Sequence, residues 1–177
     1  DITVKSTLGE GSCFEFEIQL QLAQATDIPV HQPARRAIAL APNQLHYRLL
    51  VVDDVMENRL LLSRMLEPLG FEVFQAENGL DALKQWQLHS PHLILMDMRM
   101  PVMDGYEATR QIKAKPSGQD TVIIALTASA FAEKRELVFA AGCNDFVPKP
   151  FQETEILEKM AFHLGLDYIY EQEQPIH

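Results

Sequence analysis

One alternation constrains this chain more than any other feature. From Tyr47 to about Gly165, five short apolar runs are separated by stretches with helical period. The runs are Leu49–Val52, Phe71–Phe74, Leu93–Met96, Val122–Leu126 and Phe146–Val147. Each is too short for a buried helix and suits a strand covered on both faces. In the first helical stretch, Leu61, Leu62, Met65, Leu66 and Leu69 share one face. Pro68 distorts its last turn and Gly70 ends it. Further helices are predicted over Leu80–Leu88, Tyr106–Lys113, Ala130–Ala140 and Thr154–Leu164, with Gly142 as a stop after the fourth. Five strands alternating with five helices predict an α/β domain, a parallel sheet with helices on both faces.

Three pieces lie outside that domain. In residues 1–22, Phe14, Phe16, Ile18 and Leu20 alternate with polar residues, Ile2 and Val4 begin a similar run, and glycines lie between, which predicts a β-hairpin. Residues 23–46 carry Pro29, Pro33 and Pro42 without sustained periodicity and read as a linker, with Ala37–Leu40 able to form a short strand or dock on a neighbour. The tail, 166–177, has no assignment.

Charge and cysteine usage narrow the function. The formal net charge of −10 argues against a nucleic-acid surface, which needs basic patches. Two distant cysteines, Cys13 and Cys143, make neither a disulfide framework nor a metal knot, so a reducing, cytoplasmic setting is expected. Apolar runs are too short to span a bilayer, and direct membrane contact is not expected. The six histidines have no ligand spacing, and Met96, Met98, Met100 and Met103 read as packing. Without an initiator Met, the chain is expected to be a piece of a longer protein.

Open parallel sheets place their sites beyond the carboxyl ends of the strands. Here the first strand ends in Asp53-Asp54, the third in Asp97, the fourth in Thr127 and the fifth in Pro148-Lys149-Pro150, whereas the second ends in unreactive Gln75-Ala76. Three converging carboxylates repel one another unless a cation neutralises them, and a hard divalent ion such as Mg²⁺ suits oxygen ligands. Lys149 adds a charge for a phosphate oxygen and Thr127 a hydroxyl donor. Metal, ammonium and hydroxyl are what in-line phosphoryl transfer requires. Asp97, ending the central strand, is the candidate nucleophile, and its product would be an aspartyl phosphate. Each residue alone has a plainer reading: a helix cap for Asp53, Asp54 or Thr127, a solvated charge for Lys149. Their joint occurrence at four strand ends favours chemistry.

These residues carry a resemblance. The strings Arg48-Leu-Leu-Val-Val-Asp-Asp54, Leu93-Ile-Leu-Met-Asp-Met-Arg-Met-Pro-Val-Met-Asp-Gly105, Ala125-Leu-Thr-Ala128 and Asp145-Phe-Val-Pro-Lys-Pro-Phe151 resemble the receiver domain of two-component response regulators over residues 47–165. The resemblance implies a flavodoxin-like (βα)5 three-layer sandwich with strand order 2-1-3-4-5. It implies Asp97 as the phosphoacceptor and Mg²⁺ (or Mn²⁺) as cofactor. Asp54, Asp97 and the backbone carbonyl of Arg99 are then direct metal ligands, and Asp53 acts through water or hydrogen bonds. Thr127 and Lys149 would contact the phosphoryl group, and the Lys149–Pro150 bond would be cis. Phe146 matches the aromatic switch position, and lacking a hydroxyl it would act through packing as Thr127 moves toward the phosphoryl group.

The segment Ile2–Ile18 resembles the last two strands of a histidine-kinase ATP-binding domain, so the order is that of a hybrid sensor histidine kinase, and any membrane anchor of that parent is expected in regions N-terminal to this chain. Implied partners are the kinase's histidine dimerisation and phosphotransfer domain or a separate histidine phosphotransfer protein. The fragment by itself is not expected to be an enzyme beyond its own phosphorylation and dephosphorylation. Two alternatives compete. A degenerate receiver acting only as a docking module would usually lack an acidic residue, the acceptor or the lysine. A Mg²⁺-dependent phosphohydrolase of the haloacid dehalogenase type needs an Asp where Arg99 stands.

Overall fold

The apolar runs become one parallel sheet in the computed structural model, which describes residues 2–7, 9, 11–17, 36–128 and 132–171. Ile18, Leu20, linker residues 23–35, the predicted helix start at Ala130 and the tail from 172 lie outside the described residues. The strands are β4 (Arg48–Val52), β5 (Glu72–Ala76), β6 (Leu93–Asp97), β7 (Val122–Thr127) and β8 (Asp145–Pro148). Their order is β5-β4-β6-β7-β8, all parallel. Counted within the sheet, that is 2-1-3-4-5, the flavodoxin-like arrangement.

Burial on both faces explains why the three central strands, β4, β6 and β7, read as unbroken apolar runs. Alternate residues point to opposite faces. Leu49, Val51, Leu93, Leu95, Ile124 and Leu126 pack against Leu62 and Leu66 of α1 (Met56–Leu66) and Ile156, Leu157 and Met160 of α6 (Glu153–Leu164). Leu50, Val52, Ile94, Met96, Ile123 and Ala125 face Ala82 and Trp86 of α2 (Gly79–His89), Ala108 and Ile112 of α3 (Gly105–Lys113) and Val138 of α5 (Ala132–Ala140). The central strand residues are fully buried, each large side chain contributing about 1.5–3 kcal/mol.

Local chemistry sets the helix ends. Asn78 caps α2 by accepting from the Asp81 amide, and Asp104 caps α3 by accepting from the Glu107 amide. As Pro68 predicts, α1 stops at Leu66 and a 3₁₀ turn, Glu67–Leu69, leads to Gly70 at φ 106°. The four-residue α4 (Pro116–Gln119) was not expected, being too short to leave a periodic signature.

Two short strands join the segments before and after the sheet. β3 (Ala37–Leu40) pairs antiparallel with β9 (Tyr168–Tyr170). The Gln44 amide both donates to the Asp167 carbonyl (2.7 Å) and accepts from the Asp167 amide (3.0 Å). Tyr168 is buried and its hydroxyl donates to the Leu157 carbonyl. The tail thus belongs partly to the core.

The chain divides into two units, residues 1–34 and 35–177. In the first, β1 (Ile2–Thr7) and β2 (Gly11–Phe16) form an antiparallel hairpin. Ile2 opposes Phe16 and Val4 opposes Phe14, and all four side chains are exposed. Among the described residues, no helix is long and apolar enough to cross a membrane.

Candidate active site

A parallel sheet brings all its strand ends to one edge. β4, β6, β7 and β8 are adjacent there, while β5, the strand without a reactive terminus, lies on the outside. Asp53 and Asp54 follow β4, Asp97 closes β6, Thr127 closes β7 and Lys149 follows β8. The topology therefore gathers residues that lie 96 positions apart into one cluster.

Lys149 is the hub. Its Nζ donates to Asp53 Oδ2 and to Asp97 Oδ2, each at 2.7 Å. Burial pulls the lysine's pKa down, but the hydrogen bonds and charges of Asp53 and Asp97 outweigh it and hold the ammonium above its ordinary value. Oxygens of Asp53, Asp54 and Asp97 lie within 4.8 Å of one another. Such a set of hard oxygen donors fits a divalent cation of the Mg²⁺ kind.

The three carboxylates differ in what they already hold. Asp53 is 0 % exposed. Its Oδ1 accepts from the Val55 amide at 2.9 Å, a local turn bond of the kind expected of an Asp ahead of a helix. It also takes the lysine and the side-chain amide of Asn58, at 3.0 Å and 3.1 Å to its two oxygens. Asp97 accepts from the Arg99 amide at 3.0 Å through Oδ1. Asp54 is exposed, and among the described residues nothing donates to its carboxylate.

The surroundings fix these groups. Thr127 is buried and its carbonyl accepts from the Lys149 amide at 2.7 Å, next to a cis Lys149–Pro150 bond. A Cβ at Gly105 would overlap the carbonyl of Asp97, so only glycine lets α3 start this close to the end of β6. Met103 donates its amide to the Pro101 carbonyl around Val102, which sits at φ 69°.

Phe146 is half-buried on β8. The Arg135 guanidinium lies 4.8 Å from its ring centre, the Lys159 ammonium 5.5 Å, and the Phe139 ring meets it edge-on at 6.2 Å. Neighbouring Asp145 pairs with Lys159 at 2.7 Å and His163 at 3.0 Å.

Sequence reasoning missed Asn58 and Arg59. Arg59 Nη1 donates to the backbone carbonyls of Asp53 (2.7 Å) and Asp54 (3.3 Å). Their signal was two adjacent hydrogen-bonding residues at the start of the helix, just ahead of its Leu60–Leu62 run and one turn beyond the acidic pair.

An acidic, lysine-bridged cluster over the carboxyl edge of a doubly covered parallel sheet defines a phosphoacceptor-type α/β domain. The chain belongs to the response regulator receiver domain family, whose model matches residues 49–161. It is 39% identical over 115 residues to the chemotaxis protein CheY of Bacillus subtilis, covering 63% of this chain and 92% of that protein. It is 35% identical over 150 residues to the sensor protein EvgS of Escherichia coli K12. That match covers 85% of this chain but only 12% of EvgS, so the chain spans a small part of the sensor proteins it resembles. Among solved structures, it is similar to the receiver domain of the sensor histidine kinase PA1611 from Pseudomonas aeruginosa PAO1, which has a magnesium ion coordinated in its active-site cleft. Identity is 37% and the TM-score 0.63, over 68% of this chain and 99% of that one. The chain is thus a receiver domain of two-component phosphorelay signalling.

Proposed function

We propose that Asp97 is the phosphoacceptor and that Asp54, Asp97 and the Arg99 carbonyl hold Mg²⁺ (or Mn²⁺), with Asp53 in support. The observation that carries this reading is Lys149 Nζ, 2.7 Å from Asp97 Oδ2 and beside two further carboxylates. The magnesium in the PA1611 receiver supports the choice of metal. When bound, the cation supplies the charge neutralisation that lets anionic carboxylate and anionic phosphoryl group meet. An Asp97 carboxylate oxygen attacks phosphorus, the P–N bond to a phosphohistidine breaks, and the imidazole keeps the bonding electron pair. Lys149 stabilises charge on the phosphoryl oxygens, and the Thr127 hydroxyl donates to one of them. Phe146 then repacks between α5 and α6, an output carried without a phenolic hydroxyl.

The phosphohistidine belongs to a kinase dimerisation domain or to a histidine phosphotransfer protein. The parent is a hybrid sensor kinase: the 150-residue EvgS match extends past the receiver, and residues 1–22 resemble the end of a kinase ATP-binding domain. The organisation is then kinase remnant at 1–22, linker at 23–46 whose β3 docks on the receiver, receiver at 47–165, and tail at 166–177 whose β9 pairs with β3, acting in the cytoplasm.

Intact-mass measurement after treatment with acetyl phosphate and Mg²⁺ tests this. The parent chain gains one phosphoryl mass and Asp97→Asn gains none. An unmodified parent chain would leave only the docking-module reading, and equal labelling of both would place the acceptor at a residue other than Asp97.

A further inference from the structure

The difference in hydrogen bonding among the three carboxylates points to a task for Asn58. Asn58 is the third residue of α1, and helical side chains lean back toward the N-terminus. That places its amide at the end of β4, where Nδ2 reaches both oxygens of Asp53. The amide orientation is unambiguous, because both facing atoms are acceptors. A carboxylate offers about four lone-pair positions. Val55, Lys149 and the doubly placed Asn58 amide occupy them in Asp53. Arg59 holds the backbone carbonyls of Asp53 and Asp54 from the same helix. Lys149 is shared with Asp97 and would be drawn toward an incoming phosphoryl group, whereas Asn58 has no second charge to serve.

Building on the metal reading above, we propose that Asn58 is a positioning residue that keeps Asp53 out of direct metal contact and so suits the site to Mg²⁺ over larger cations such as Ca²⁺. Mg²⁺ is small, demands an octahedron, keeps several waters and is content with one or two carboxylates. Ca²⁺ takes six to eight oxygens, often from carboxylates that bind through both atoms. An Asp53 released from Asn58 can turn an oxygen toward the ion and supply a third direct carboxylate. That change favours the larger, less strictly coordinated cation. Groups behind metal ligands commonly alter affinity by about 10–100-fold when removed.

Calorimetric titration of the chain with Mg²⁺ alone and with Ca²⁺ alone, without phosphodonor, tests the idea on the parent and on Asn58→Ala. The variant's preference for Mg²⁺ over Ca²⁺, the ratio of the two Kd values, is expected to fall by about tenfold. A ratio within about twofold of the parent's overturns the proposal, including the case where both metals weaken equally, which is what mere loosening of the loop would give. Asn58→Ser, too short to reach both oxygens, is run alongside in case the alanine variant does not fold. If the parent itself binds neither metal, the metal reading fails, and that outcome is distinct from an unchanged ratio in a chain that binds both.

Discussion

Lys149 and Asp97 meet across an intervening strand: Nζ lies 2.7 Å from Oδ2 although β7 separates β6 from β8. The same ammonium stands 2.7 Å from Asp53, so one cation serves two buried carboxylates. Removing it strands both. Lys149→Met is expected to lower stability by on the order of 3 kcal/mol in metal-free buffer. Saturating Mg²⁺ should recover much of that loss by supplying the missing positive charge. Urea unfolding with and without Mg²⁺ measures both effects; a variant as stable as the parent without metal would contradict the role given to the bridge.

Gly105 is held to glycine by the Asp97 backbone. In Gly105→Ala the new Cβ meets the Asp97 carbonyl, so either α3 or β6 must shift. Expected are a stability loss of about 1–3 kcal/mol and slower labelling of Asp97 by acetyl phosphate. Wild-type labelling kinetics would show that the close approach does not position the acceptor.

The β3–β9 pair predicts that a receiver cut at Gly165 is weakened. Such a cut removes Leu166 and Tyr168 from the core that contains Tyr47, Phe71 and Leu157. Tyr168→Ala is expected to cost on the order of 3 kcal/mol, a large buried side chain replaced by a cavity. Denaturant midpoints for Tyr168→Ala and for the truncated chain check this, and unchanged midpoints would make the pair an ornament of the surface.

Asp145 gives a pH dependence. Burial pushes its pKa up, but hydrogen bonds from Lys159, His163 and the Phe146 amide, with the charge of Lys159, outweigh burial and hold it below the ordinary carboxylate value. A carboxylate with a depressed folded pKa contributes stability above its unfolded pKa, about 3.9, and that contribution disappears as pH falls through the lower folded pKa. Asp145→Asn should therefore be less stable than the parent near neutrality, with the gap closing below about pH 4. Unfolding curves from pH 7 to acid test it; a gap that persists or widens in acid would reverse the assignment.

Much of this protein follows from its sequence. Apolar runs of two to five residues separated by amphipathic helices, unbroken in the three central strands, leave few options besides a parallel sheet covered on both faces, because both sides of a central strand must be hidden from water. Once the sheet is parallel, residues that close or follow strands share one edge, so the sequence by itself puts Asp53, Asp54, Asp97, Thr127 and Lys149 at the same edge.

Tertiary structure alone decided the rest. It showed that Asp53 is saturated by Val55, Asn58 and Lys149 while Asp54 stays open, because hydrogen-bond partners depend on the angle at which α1 leaves β4. It also drew Ala37–Leu40 and Tyr168–Tyr170 into a sheet, segments of three and four residues whose pairing partner is some 130 positions away. Such short strands carry almost no periodic signal, and their stability comes from burying Tyr168 and Ala37 against a core that exists only after the rest has folded.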